Sequence, residues 1–230
     1  MRDFILNSLY FGTFLNVGTY FIGMKIKKHL KLSICNPLLI SAVLTVIILT
    51  LLKIDFKTYN ESAKYITYLL TPATVCLAIP LYEQLELLKK NLWAVLISIL
   101  AGVLTSAFSI LIMSMLFGLN HLQYITLLPK SITTAMGIGL SSELGGIETI
   151  TVASIVFTGI FGNIAANVIL KLFGVKHSIA KGLALGTSAH AIGTAKALEY
   201  GETEGAMAGL SIAVAGLMTV IAASVFAMLH

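Results

Sequence analysis

The chain has 230 residues, of which 57% are hydrophobic and only 11% are charged, with a formal net charge of +5. A soluble domain carries about 25% charged residues, so this composition excludes a soluble domain and indicates a helical membrane protein that crosses the bilayer several times. The positive charge does not indicate nucleic-acid binding, because Lys and Arg collect in the cytoplasmic loops of membrane proteins. No basic stripe with interleaved aromatic residues occurs in the sequence.

Eight apolar segments follow one another along the chain. A helix needs roughly 20 apolar residues to cross the hydrocarbon of a bilayer, and most of the segments approach that length. They cover residues 4–24, 34–52, 65–82, 92–117, 122–140, 150–173, 182–198 and 206–229. We interpret the first as a retained helix rather than a signal peptide, because no small-residue cleavage site follows it.

The third, fifth and seventh segments contain residues that interrupt a helix. The third contains Pro72 and Pro80, the fifth contains the run 129–131 (PKS), and the seventh carries glycine and hydroxyl residues around His190. Lipid cannot satisfy the backbone groups that such breaks free, so breaks persist where the backbone faces protein or a water-filled cavity. The three segments therefore predict a central, wet cavity.

Segment order and lysine placement predict the topology. Residues 1–117 and 118–230 each hold four segments, and in each half a broken segment precedes a clean helix. If the fifth segment is re-entrant, the nine lysines of 25–31, 89–90 and 171–181 all lie on the cytoplasmic side, as the positive-inside rule requires.

We therefore predict a single all-α integral membrane domain over 1–230, with about seven transmembrane helices plus one re-entrant segment. The two halves form pseudo-inverted repeats with discontinuous helices, an arrangement typical of secondary transporters.

Lys130 is the most informative charge, because a lysine inside a membrane segment costs about 2.5–3.5 kcal/mol. We predict that it binds an anionic substrate, helped by the hydroxyls of Ser131, Thr133 and Thr134. The following half-helix would direct its free N–H groups and positive dipole end at the same anion. The alternative is that Lys130 extends its ammonium group to the membrane interface.

The other two breaks supply further candidates for the same site. Around the seventh segment these are Ser188, His190, Gly193 and Thr194, and around the third they are Pro72 and Thr74. His190 either exchanges a proton or bonds a carboxylate during transport, or it is a structural histidine that holds unwound backbone. The break at Pro72 either opens N–H groups to the cavity or is a kink repaired by neighbouring helices.

The sequence predicts no enzyme chemistry. The pattern G-x-S-x-H at 186–190 lacks the strand–turn–helix context of a nucleophile elbow, and no carboxylate lies near it in sequence. Cys35 and Cys76 have no metal-ligand or disulfide spacing. We expect no catalytic residue, no metal and no cofactor. Glycines four residues apart, at 182 and 186 and at 201, 205 and 209, predict close helix packing within the chain or across a homodimer.

Three stretches resemble the LrgB/CidB family of bacterial membrane proteins. They are TPATVCLAIPLY (Thr71–Tyr82), LPKSITTAMGIGLSSELGG (Leu128–Gly146) and AKGLALGTSAHAIGTAKALEYGETEGAMAGL (Ala180–Leu210). The family usually has GPATVALAVPLY and PKSVTTPIA at the first two stretches, so Thr71 replaces a glycine and Ala135 a proline. These two departures bear on the helix breaks and on fine substrate specificity.

The resemblance implies two functions at the bacterial cytoplasmic (inner) membrane. Members are described as antiholin-like proteins that modulate murein hydrolase activity and autolysis together with a small LrgA/CidA-type membrane partner. Related members transport small monocarboxylates, which are pyruvate in bacteria and glycolate with glycerate in a plastid relative. The family is also grouped with transporters that are built from inverted repeats.

Overall fold

The computed structural model describes residues 8–30, 36–69, 72, 75, 76 and 78–230. Every regular element in these residues is a helix, which confirms the predicted all-α class. By its internal contacts the chain divides into two compact units, Met1–Cys76 and Leu77–His230. The predicted internal repeat, with its boundary between residues 117 and 118, stays a prediction.

In the first unit the described residues form three helices, which are α1 (Phe11–Leu30), α2 (Pro37–Leu52) and α3 (Phe56–Tyr68). Helix α2 begins where the Asn36 side chain accepts a hydrogen bond from the Leu38 N–H at 2.8 Å, which satisfies one of the free donors at a helix start. Helices α1 and α2 are joined by buried hydroxyls, because Thr19 Oγ1 lies 2.8 Å from Ser41 Oγ and 3.1 Å from Thr45 Oγ1.

The described part of the second unit contains eight helices and two 3₁₀ turns. They are α4 (Ala78–Glu83), α5 (Leu85–Lys90), α6 (Leu92–Phe117), α7 (His121–Leu127), the turn Leu128–Ser131, α8 (Thr134–Leu144), α9 (Glu148–Leu172), α10 (Ser178–Tyr200), α11 (Glu202–Phe226) and the turn Ala227–Leu229.

Within the described residues, three helical stretches are long and apolar enough to cross a membrane: α6, α9 and Glu202–Leu229. Helix α2 is apolar but shorter. Many large apolar side chains on these helices are exposed, for example Trp93, Phe157 and Ile221, as expected of surfaces that face lipid. The described residues are therefore those of a helical membrane protein, and the count of seven spans stays a prediction.

The fifth segment is interrupted where the sequence predicts it. Helix α7 ends at Leu127, the turn Leu128–Ser131 begins with Pro129 in its first positions, and α8 starts only at Thr134. At 1.5 Å per residue, α7 and α8 are about 10 and 16 Å long, and neither covers the roughly 30 Å of hydrocarbon.

The seventh segment is also discontinuous, and the break falls on His190. Its φ of 41° and ψ of −132° are non-helical and divide α10 into two halves. The third predicted break is not described as a whole, because residues 71, 73 and 74 lie outside the described part of the chain.

Glycines bring α10 and α11 into close contact, as their spacing predicts. A Cβ at Gly182 would meet the Glu204 carbonyl oxygen of α11, and one at Gly186 would meet the Ala208 carbonyl oxygen. A Cβ at Gly205 would meet the Leu198 side chain. The predicted packing role is confirmed within the chain for Gly182, Gly186 and Gly205. Their close contacts fix the position of α10 against α11.

Candidate functional site

Lys130 lies in the 3₁₀ turn between α7 and α8, with its side chain half-buried. The ammonium group donates to Ser131 Oγ at 3.1 Å and to Ser106 Oγ of α6 at 3.4 Å. The two serine oxygens are 3.0 Å apart. Lysine, turn and α6 thus form one polar cluster at the helix break.

This cluster opens into a pocket of about 540 Å³ within the second unit. Three helices and the turn form its walls. The lining residues are Ser98, Gly102, Thr105, Ser106 and Ser109 of α6, Lys130 and Ser131 of the turn, Thr158, Phe161, Gly162 and Ile169 of α9, and Ala180, Leu183, Ala184, Thr187 and Ser188 of α10.

The pocket has a polar end and a less polar end. The lysine and the serines at 106, 109 and 131 form the first. The second reaches Ile169 in the last turn of α9 and Ala180 in the first turn of α10, with Leu183 and Ala184 beside them. The pocket therefore extends from the helix break towards the connection between α9 and α10.

Among the described residues, none that lines the pocket is acidic. A buried or half-buried cation without a counter-charge is costly, and hydroxyl groups only partly replace that charge. The charge of Lys130 is therefore complementary to an anion small enough to enter the pocket.

Thr187 differs from the other pocket-lining residues in the state of its hydroxyl. The residue is only 8% exposed, it lines the pocket, and its Oγ1 has no hydrogen-bond partner in the described part of the chain. Its methyl group faces α6, because a Cβ at Gly102 would lie 2.6 Å from Thr187 Cγ2. A buried hydroxyl without a partner costs about 1–3 kcal/mol, and a ligand would recover this cost only in a state in which the pocket wall uncovers Oγ1.

The neighbouring hydroxyls already bond the backbone of their own helices. Ser188 Oγ donates to the Ala184 carbonyl at 2.6 Å, and Ser109 Oγ donates to the Ser106 carbonyl at 2.7 Å. Each oxygen still has acceptor capacity. Ser188, a predicted site residue, therefore lines the pocket in a bonded state, unlike Thr187.

His190 does not line the pocket. It is 4% exposed, and its Nε2–H donates to the Ile155 carbonyl of α9 at 3.0 Å. The Thr194 hydroxyl donates to the His190 carbonyl at 3.1 Å. Gly193 lies against the Leu185 carbonyl, where a Cβ would overlap it. These three predicted site residues bond or pack at the kink in α10, and their part in substrate binding stays a prediction.

Of the predicted site residues, the structure brings Lys130, Ser131 and Ser188 together. Thr133 precedes α8 and Thr134 begins it, and neither is among the lining residues. Pro72 belongs to the first unit, and Thr74 lies outside the described residues. The part that these four play in binding stays a prediction.

Sequence reasoning missed the wall formed by α6. The hydroxyl residues 98, 105, 106 and 109 and Gly102 recur at helical spacing along one face. That periodicity was the available signal, and the high hydropathy of the helix as a whole obscured it. Among the described residues no group of three or more His, Cys, Asp or Glu side chains is placed to hold a metal ion.

Comparison with known proteins gives one consistent family. The model of the LrgB-like family matches residues 16–229. The chain belongs to the LrgB family. The match includes every residue that lines the pocket and both halves of α10.

Similar LrgB-family proteins occur in Bacillus. Proteins named "Antiholin-like protein LrgB" from Bacillus cereus (strain B4264) and Bacillus anthracis (strain CDC 684 / NRRL 3495) are each 38% identical to the chain over 218 residues. The alignments cover 94% of this chain and 95% of each relative. No solved structure matches this LrgB-family chain.

Proposed function

We propose that this LrgB-family protein is a secondary transporter of small monocarboxylates in the bacterial cytoplasmic membrane. The observation that carries the proposal is the ammonium group of Lys130 in a pocket lined by hydroxyls and without an acidic residue. A carboxylate would accept hydrogen bonds from Lys130 and from the serines beside it, and these charge-assisted bonds are the strong ones.

The volume and lining of the pocket support a small ligand. Ligand sites commonly have volumes of about 300–1,000 Å³, are mainly apolar and contain a few polar groups that fix orientation. At about 540 Å³ the pocket has room for a carboxylate of a few carbon atoms together with water. Thr187 would offer a second polar contact once a movement of the α10 wall uncovers its hydroxyl, and Phe161 and Leu183 offer apolar contacts.

The break in α10 supports movement of substrate rather than static binding. Transporters commonly place substrate beside discontinuous helices and alternate access by rocking one bundle against another. Thr187 and Ser188 lie just before the non-helical residue His190, so a change of angle there would move the pocket wall. An overflow transporter of this kind would influence murein hydrolase activity and autolysis through cytoplasmic pH and energy supply.

The experiment is counterflow of labelled pyruvate, lactate and glycolate by the purified protein in liposomes. Lys130→Gln removes the charge, and Lys90→Gln removes an exposed lysine outside the pocket as the matched control. A charge-assisted hydrogen bond contributes about 1.5–3 kcal/mol, so we expect KM to rise about tenfold or more in the first variant only. Saturable uptake that is equal in both variants would contradict the assignment of Lys130.

A second candidate function is that of a regulatory partner without transport of its own. The name of the Bacillus relatives, antiholin-like protein, favours it. The partner would be a small LrgA/CidA-type membrane protein, and a homodimer of this chain is compatible with either function. This candidate predicts no saturable uptake by the purified protein and an effect on lysis only when the small partner is co-expressed. If both results are obtained, the regulatory function replaces transport as the proposed function.

A further inference from the structure

A second, strongly basic pocket of about 290 Å³ lies where α9 and α10 connect. We call it the lysine pocket. Its lining residues are Asn167, Leu170, Lys171, Gly174, Val175, Lys176, Lys181 and Tyr200. It shares no residue with the Lys130 pocket.

The turn between the helices brings the lysines together. Helix α9 ends at Leu172, and Gly174 then adopts a left-handed φ of 62°. The Val175 N–H returns to the Leu170 carbonyl at 2.8 Å. This turn places the end of α9 beside the start of α10. Lys171 lies in the last turn of α9, Lys176 lies in the connection, and Lys181 lies in the first turn of α10.

An aromatic wall completes the pocket. The Tyr200 hydroxyl donates to Asn167 Oδ1 across α9 and α10, which holds the ring in place. The Lys181 ammonium lies 5.9 Å from the centre of that ring. The pocket is therefore a formed concavity and not a set of independent surface chains.

Charge in the lysine pocket is unbalanced. Of the residues that the structure describes, three lysines and no acidic residue line it. Glu199, which precedes Tyr200, is not one of the described lining residues, and its carboxylate bonds Lys196 at 2.6 Å. Like charges held in one concavity repel each other, and an anion with several acceptor oxygens would offset that repulsion.

The position of the pocket identifies the source of the anion. Helix α9 is long and apolar enough to cross a membrane, and the pocket lies at its C-terminal end. Leu172 and Phe173 follow directly after Lys171 and are each 76% exposed. Exposed apolar residues beside lysines are typical of the boundary between acyl chains and headgroups, and basic pockets between helices at this level bind phosphate headgroups.

We propose that the lysine pocket binds the phosphate headgroup of an anionic phospholipid. The phosphate oxygens accept hydrogen bonds from the lysines at 171, 176 and 181, while the acyl chains lie along the exposed apolar surface of α9. This site is independent of the proposed transport, because it involves none of the groups that surround Lys130.

The test is native mass spectrometry of the full chain in detergent, titrated with phosphatidylglycerol and with phosphatidylcholine. The test variant is Lys176→Gln/Lys181→Gln. The control is Lys89→Gln/Lys90→Gln, which removes two exposed lysines of the same unit outside the pocket. Each lysine contributes about 1 kcal/mol to the binding of anionic lipid, so we expect phosphatidylglycerol affinity to fall about thirtyfold in the test variant.

The expected pattern is tight binding of phosphatidylglycerol and weak binding of phosphatidylcholine by the native chain, with affinity retained in the control variant. An equal loss in both variants would reduce the effect to general surface charge and overturn the proposal. Equal binding of the two lipids would also overturn it. Inorganic phosphate that displaces phosphatidylglycerol stoichiometrically would assign the pocket to a soluble anion instead. Lys176→Gln alone, at an exposed position in the connection, repeats the test if the double variant is unstable.

Discussion

Replacing Thr187 by valine should raise stability and weaken substrate binding at the same time. Valine keeps the branched shape, including the methyl group that packs against Gly102, and removes only the hydroxyl. In the free protein that hydroxyl is buried and has no partner among the described residues. Its removal should therefore increase the free energy of unfolding, whereas most buried polar substitutions decrease it.

The magnitudes follow from the state of the hydroxyl. A buried polar group without a partner costs about 1–3 kcal/mol, which Thr187→Val should return as stability. In the proposed substrate-bound state, in which the α10 wall uncovers it, the same hydroxyl would donate a charge-assisted bond of about 1.5–3 kcal/mol. Because 1.4 kcal/mol corresponds to a factor of ten, we expect KM for the transported anion to rise about tenfold or more.

The assay is thermal unfolding of the purified protein, combined with liposome counterflow. Thr151→Val is the matched control, because Thr151 is buried outside the pocket and its Oγ1 lies 2.7 Å from Ser141 Oγ and donates to the Thr126 carbonyl at 2.8 Å. The control should lower Tm and leave KM unchanged. A Thr187→Val variant that loses stability and keeps its KM would refute the argument that this hydroxyl serves a ligand.

Three further predictions concern the framework. Gly186→Ala should lower stability by about 1–3 kcal/mol, measured by thermal unfolding, because the added Cβ overlaps a carbonyl of α11. His190→Ala should cost about 1–3 kcal/mol by the same measurement, since it leaves a carbonyl of α9 without its imidazole donor. Hydrogen bonds from the hydroxyl and then the N–H of Thr58 hold the pKa of Asp55 below its usual value, so NMR titration should show a depressed pKa that rises in Thr58→Ala. The stabilising effect of this carboxylate on α3 is then present above the unfolded pKa of about 3.9 and is lost as the pH falls through the lower folded value.

The predictions for Gly186 and His190 each have a control in the chain. Gly139→Ala places a Cβ in open space within α8 and should raise stability by about 0.5–1 kcal/mol, so equal effects at Gly139 and Gly186 would contradict the packing argument. His177→Ala removes an exposed histidine that makes no capping bond, so it should leave the free energy of unfolding unchanged. A His190→Ala variant as stable as His177→Ala would contradict the argument that the imidazole stabilises the kink. An Asp55 that titrates at the usual pKa, unaltered by Thr58→Ala, would contradict the capping geometry.

Composition and local pattern alone determined the helical membrane class and two of the helix breaks. Proline at 129 cannot donate a backbone hydrogen bond, and the glycine and hydroxyl residues around His190 weaken a helix within an apolar chain. Lys130 was identifiable because a charge in an apolar segment is costly wherever the segment packs. These inferences depend on local chemistry, so they needed no coordinates.

Only the tertiary structure decided which polar side chains share the pocket with that lysine. A hydroxyl in an apolar helix can bond the carbonyl four residues earlier, as that of Ser188 does, or it can face a cavity, and the sequence is the same in both cases. The packing of α6 and α9 against α10 left the Thr187 hydroxyl buried at the pocket wall, without a partner in the described part of the chain, and directed His190 to a backbone carbonyl. Helical periodicity specifies that residues share a face, whereas the neighbouring helix determines what that face meets.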